Sequence, residues 1–174
     1  MISVVFPGQG SQKVGMGYDL FNEFDYVKEI FNNANEILGY NISDLILNGP
    51  QEKLNQTTYT QPAIYLIGQV ICEVLKNETN FFKKDFNYFA GHSLGEYTAL
   101  TSANSITLKQ GLLLLKNRVE SMQSAVPLGE GGMLAVLGIE TDKIKEIIKD
   151  NFENIKCFLA NDNSKGQIIL SGKN

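Results

Sequence analysis

The chain is poor in the residues that build metal sites and disulfide frameworks. It has one histidine and two cysteines in 174 residues. Cys72 and Cys157 lie far apart in apolar segments, so neither a disulfide framework nor a metal site is implied. Arginine is just as scarce, with Arg118 alone among 15 basic residues. The net charge is −4, and no basic run could follow a phosphate backbone, which argues against nucleic acid as a partner. No apolar stretch has the ~20 residues needed to span a bilayer, so no membrane partner is expected. The N-terminus lacks the basic, apolar, small-residue order of a secretory leader, making the cytoplasm the expected compartment. There is no internal repeat and no low-complexity segment.

What is present can form a core, since 43% of the residues are hydrophobic. Ile2 to Phe6 is a β-branched run that feeds the loop Pro7-Gly8-Gln9-Gly10-Ser11-Gln12, and it reads as a buried strand. The spacing of Val27, Ile30, Phe31, Ala34 and Leu38 predicts a helix over 24–38, with Gly39 as a left-handed cap. A second long helix is expected from Thr60, its N-cap, with Pro62 in the first turn. Phe86 to Ala90 reads as a short aromatic strand and Glu96 to Ala103 as a helix. A further helix follows Thr107, with Leu108, Leu112, Leu115, Val119 and Met122 on one face.

At Pro127 the texture changes. Leu128-Gly129-Glu130-Gly131-Gly132 is a linker candidate, so the expected division is 1–126 and 127–174. Beyond it a strand (133–139), a helix (141–150) and two strands (156–160 and 167–171) follow. That β-α-β-β order is the first two-thirds of a ferredoxin-like unit, and the chain stops at Asn174 before the last helix and strand. It therefore reads as cut inside a small domain. Alternation of strand, loop and helix in the first part argues for an α/β fold with a parallel sheet.

Chemistry concentrates at Gly91-His92-Ser93-Leu94-Gly95. A strand turning sharply into a helix around G-x-S-x-G is a nucleophile elbow, which lifts the serine hydroxyl clear of the backbone. In parallel sheets, loops leaving the carboxyl ends of strands converge on one crevice, so the Gln9 loop should approach Ser93. A serine attack needs donors for the oxyanion and a base for the proton. The N–H of Leu94 at the helix start is one candidate donor, and an N–H of the Gln9 loop is a second. His92 directly precedes the serine. Successive side chains leaving a strand point oppositely, so it reads as a buried residue bonded to backbone beneath the elbow. No other histidine follows, so the Ser, acid, His order of an α/β-hydrolase cannot be completed here. Arg118 borders a buried stripe, where a guanidinium needs a carboxylate or phosphate partner. Two roles stay open for it at this point, a structural ion pair and a substrate clamp.

Five stretches together resemble the malonyl-CoA:acyl carrier protein transacylases. They are F-P-G-Q-G-S-Q (6–12), T-x-x-T-Q-P-A (57–63), G-H-S-L-G-E-Y-T-A-L (91–100), R-V-E-S-M-Q (118–123) and N-D-N-S-x-G-Q-I-I-L-S-G (161–172). They occur in the family's order along essentially the whole chain. The resemblance implies an α/β-hydrolase-like large subdomain with an inserted ferredoxin-like small subdomain, both incomplete here. It implies that Ser93 carries malonyl, that Gln9 and Leu94 supply oxyanion N–H groups, and that Arg118 pairs with the malonyl carboxylate. Gln61, His92, Asn161 and Asn163 would line the cleft. No cofactor is implied, and the implied partners are malonyl-CoA and acyl carrier protein. Leu94 at the variable motif position is similar to malonyl-selective members. The family's catalytic histidine belongs to a later segment, so this chain alone is expected to be poorly active or inactive. Two other readings compete: a serine thioesterase or hydrolase, and a catalytically incomplete module binding acyl carrier protein or CoA.

Overall fold

The computed structural model describes residues 2–83, 88–126, 129–151 and 156–173. By compactness the chain divides into two units, Met1–Ser121 and Met122–Asn174. The composition change expected at 126/127 lies close by.

The first unit joins a small parallel sheet to a set of helices. Strands β1 (Ser3–Phe6) and β2 (Tyr88–Gly91) pair in parallel, with Ser3 opposite Tyr88 and Phe6 opposite Gly91. Phe86 and Asn87, where the aromatic strand was expected to begin, lie outside the described residues. Helices α1 (Tyr18–Glu23), α2 (Asp25–Leu38), α3 (Ile42–Asn48) and α4 (Gln51–Leu54) come between the strands. Of these, the hydrophobic spacing identifies only α2. Its Val27, Phe31, Ala34 and Leu38 are buried, and Gly39 ends it at φ 79°, the left-handed cap that spares a Cβ penalty. The short helices have too few turns to show a period. Asn41 caps α3 by accepting from the N–H of Asp44 at 3.0 Å.

Helix α5 (Thr57–Glu78) is the axis of this unit, with Thr60 to Ile67 buried without a break. It starts three residues earlier than expected. Gln56 is the N-cap, and the Thr60 hydroxyl donates back to the carbonyls of Leu54 and Gln56 instead of accepting from an N–H. Pro62 therefore stands in the second turn, where its missing N–H forfeits an intrahelical bond. Helix α6 (Gly95–Ser102) follows the serine, and α7 (Leu108–Ala125) follows a reciprocal cap. In that cap the Gln110 N–H donates to the Thr107 hydroxyl at 3.2 Å and the Thr107 N–H donates to the Gln110 side chain at 2.8 Å. Leu112, Leu115 and Val119 are buried as the stripe predicts, whereas Met122 is exposed at 46%. The stripe is covered only as far as Val119.

Helices α5 and α7 meet at a close approach. A Cβ on Gly111 would fall 2.1 Å from the Tyr65 hydroxyl, so only glycine admits the ring there. The same hydroxyl lies 2.9 Å from the Thr101 Oγ1 and donates to the Leu108 carbonyl at 3.3 Å. One fully buried tyrosine thus ties α5, α6 and α7 together.

The second unit is a three-stranded antiparallel sheet with one helix. Strand β3 (Gly131–Leu137), helix α8 (Thr141–Asp150), strand β4 (Cys157–Ser164) and strand β5 (Gln167–Lys173) follow in order, and the strand order is β3-β5-β4. Helix α8 has the expected bounds. Strand β3 ends two residues early because Gly138 turns at φ 79° and donates to the Gly166 carbonyl at 2.8 Å. Strand β4 runs four residues past Ala160, and two register irregularities let it do so. Cys72 and Cys157 are free thiols. Among the described residues no helix is long and apolar enough to cross a membrane.

Candidate active site

The elbow forms as the glycines require. Strand β2 ends at Gly91, Ser93 takes φ 55°, and α6 begins at Gly95. A left-handed serine is uncommon and costs backbone energy, which clusters at functional sites. A Cβ on Gly91 would stand 1.9 Å from the Gly95 carbonyl carbon, and one on Gly95 would stand 2.6 Å from the Phe6 carbonyl oxygen. The turn can close this tightly, and rest this near β1, only with hydrogen at both positions. The Ser93 side chain is exposed, as an elbow nucleophile needs, while the Leu94 side chain is fully buried. Leu94 is the N-cap of α6, at the helix end where N–H groups have no intrahelical acceptor.

The parallel register sets Phe6 beside Gly91, so the Gln9 loop and the elbow leave the same end of adjacent strands, roughly 4.8 Å apart. The His92 N–H donates to the Phe6 carbonyl at 3.1 Å. The loop is held on its far side as well. Gln12 donates to the Asn55 side chain at 3.0 Å, and Gln9 donates to the Thr57 hydroxyl at 3.4 Å. Thr57 had no role in the sequence reading beyond being the first letter of T-x-x-T-Q-P-A, and that motif was the only signal for it.

His92 departs from expectation. It is exposed rather than buried beneath the elbow. Its ring stands against the Gln9 loop, where a Cβ on Gly8 would fall 2.6 Å from Nδ1. The bare glycine leaves the ring this surface position, which a strand's strict alternation does not foresee.

Arg118, half-buried on α7, is drawn to Ser93. Its Nη2 donates to the Ser93 Oγ at 2.9 Å, and its Nη1 donates to the Gln61 Oε1. Gln61 is 2% exposed on α5. No carboxylate pairs with Arg118 among the described residues, where the ion pairs are Lys28–Asp25, Lys76–Glu73, Lys145–Asp142 and Lys165–Glu140. The structural ion pair is therefore not what holds this guanidinium. Three positions separated by 25 and 57 residues converge, giving a hydroxyl, a planar cation and a neutral amide in one cluster. A guanidinium placed this way can take a carboxylate through two parallel hydrogen bonds. Asn161 and Asn163 belong to the second unit, on β4, and both are exposed.

An exposed serine at an elbow thus stands on an α/β scaffold beside an arginine that no carboxylate among the described residues neutralises. Residues 4–174 match the acyl transferase domain, and the chain belongs to that family. Among curated relatives it is similar to the polyketide biosynthesis malonyl CoA-acyl carrier protein transacylase PksC of Bacillus subtilis, at 43% identity over 99% of this chain and 57% of the relative. It is 40% identical to the malonyl CoA-acyl carrier protein transacylase of Haemophilus influenzae, over 98% of this chain and 54% of that one. Among solved structures, an acyl-carrier-protein S-malonyltransferase from Bartonella henselae superposes with a TM-score of 0.91 at 37% identity, covering 99% of this chain and 55% of that chain. The chain spans about half the length of the relatives it matches.

Proposed function

We propose that this chain carries the acyl-accepting site of a malonyl transfer from malonyl-CoA to the phosphopantetheine thiol of acyl carrier protein. The observation that carries the reading is the Arg118 guanidinium 2.9 Å from the Ser93 hydroxyl. A cation at that distance matches an acyl group that bears its own carboxylate, and the names of the relatives supply malonyl as that group. The Ser93 oxygen attacks the thioester carbonyl and its proton passes to a base. The carbon–sulfur bond breaks, and CoA leaves as its thiol once protonated. The carrier thiol then attacks the seryl ester, and the serine recovers its proton. The N–H groups of Gln9 and Leu94 stabilise the oxyanion in both halves, each worth about 2.7–4 kcal/mol in comparable sites. Arg118 receives the malonyl carboxylate. Gln61 and His92 line the cleft on the side of the first unit. The base is assigned, by the family resemblance, to a histidine outside the matched stretches. On this reading residues 1–126 are the first part of an α/β-hydrolase-like large subdomain and 127–174 part of a ferredoxin-like small one. The β3-β5-β4 order agrees with the latter.

The test is mass spectrometry of the full-length protein after exposure to malonyl-CoA. A malonyl adduct on Ser93, absent from the Ser93→Ala variant, is expected. An adduct elsewhere, or none on the full-length protein, refutes the reading.

A further inference from the structure

We infer that Gln61 is a positioning residue whose neutrality keeps the charge of Arg118 available to a carboxylate-bearing ligand. The inference rests on the reading of Arg118 as the receptor for an acyl carboxylate, and it adds what makes that receptor selective for anions.

The argument begins with donors and acceptors. A guanidinium has only N–H donors, so the Gln61 atom that faces it is the carbonyl oxygen, Oε1. The other partner, the Ser93 Oγ, is also neutral. A half-buried cation held by two neutral acceptors has lost part of its hydration and gained no opposite charge in return, which is costly unless an anion arrives. Where a protein only needs to fill space beside an arginine, a carboxylate compensates it better. The ion pairs among the described residues all involve lysine.

Geometry makes Gln61 a fixed strut. It lies on the fully buried stretch of α5, between Thr60 at 0% and Ala63 at 0% exposure. One turn further on, Tyr65 locks α5 against Gly111 of α7, the helix that carries Arg118. Both side chains therefore start from helices held in register, and Nη1 is aimed while Nη2 stays at the serine. Glutamate has nearly the same shape as glutamine and would make the same bond, but it would neutralise the cation. Position 61 thus orients the guanidinium without consuming its charge.

The test exploits the single arginine, whose side-chain Nε–H gives one assignable NMR signal. The full chain is titrated with monoethyl malonate, which carries one carboxylate, and with ethyl acetate, which carries none. The arginine signal of the wild type is expected to shift saturably with the first and not with the second. In the Gln61→Glu variant the affinity for monoethyl malonate should fall on the order of 10–100-fold, the scale of losing a hydrogen-bonded charge partner. The Gln61→Met variant keeps the charge but loses the orienting bond, so its affinity should fall less, on the order of threefold to tenfold. A role confined to holding the arginine predicts the opposite order, with glutamate, which can still accept from Nη1, milder than methionine, which cannot. If the glutamate variant does not fold, Gln61→Asp introduces the same charge in a shorter side chain and should show the same loss. Equal affinity in the wild type and the acidic variant overturns the inference, as does a wild-type arginine signal that ignores the carboxylate. Failure of Ser93 to accept malonyl from malonyl-CoA, with the titrations unchanged, would refute the transfer reading and leave the anion receptor standing.

Discussion

Replacing Gly95 by alanine sets local propensity against tertiary packing. Gly95 is the first residue of α6. Within a helix, alanine is favoured over glycine by about 1 kcal/mol, so an account confined to the helix predicts a gain in stability. The structure predicts a loss. The new Cβ would stand 2.6 Å from the Phe6 carbonyl oxygen and 2.8 Å from that of Pro7. Both are backbone atoms at the end of β1, and neither can rotate aside as a side chain could. Overpacking of this kind costs about 1–3 kcal/mol, enough to reverse the helical gain. Relief would require β1 and its loop to move off the elbow, loosening the bond from the His92 N–H to the Phe6 carbonyl. Urea unfolding followed by far-UV circular dichroism should show a net loss of up to about 2 kcal/mol. Gly91→Ala should lose more, because its Cβ would fall at 1.9 and 2.0 Å from the Gly95 carbonyl group. Unchanged or increased stability in Gly95→Ala would refute the claim that the elbow is wedged against β1.

Further outcomes follow from the core and from its buried hydroxyl. Phe31 is fully buried and meets Phe21 edge-on at 5.2 Å between centroids, so Phe31→Ala should cost about 3–5 kcal/mol in the same unfolding assay. Burial pushes the Tyr65 hydroxyl up from 10.0 to about 12, with the Thr101 bond pulling slightly the other way. A pKa raised in the folded state gives stability that is fully present below pH 10 and lost as the pH climbs through about 12, on the order of 3 kcal/mol for this tyrosine. Tyr40 is pushed to a similar value by burial, with Tyr59 adding to the rise. The Tyr65→Phe variant therefore isolates the Tyr65 share: its stability should fall less steeply between those pH values than that of the wild type. An unchanged slope would contradict the assignment.

Much of the site could be read from the sequence, because its parts are local. The G-x-S-x-G spacing is itself a statement about the turn. Glycines at 91 and 95 flank a serine that must take a strained φ, and the structure has the serine at φ 55° between a strand and a helix. Periodicity found α2 and α7 for the same reason, since apolar residues at helical spacing describe one face of one element. The parallel direction of β1 and β2 followed from the alternation of strands and helices, whereas their direct pairing came from the structure. Helices α3 and α4 went unread, being too short for a period to develop. The start of α5 went astray because Thr60 looks like an N-cap in sequence, yet its hydroxyl turns back to carbonyls of the preceding turn.

By itself, then, the chain of residues determined the elbow around Ser93 and the scarcity of arginine that singles out Arg118. Only the tertiary structure decided what that arginine touches. Residue spacing leaves both a salt bridge and a ligand clamp open, because 57 residues separate Arg118 from Gln61 and 25 separate it from Ser93. Side-chain spacing within one helix says nothing about a neighbour on another. The contact exists because Tyr65 occupies the space left by Gly111 and holds α5 on α7, which brings a buried neutral amide and an exposed hydroxyl to the same guanidinium.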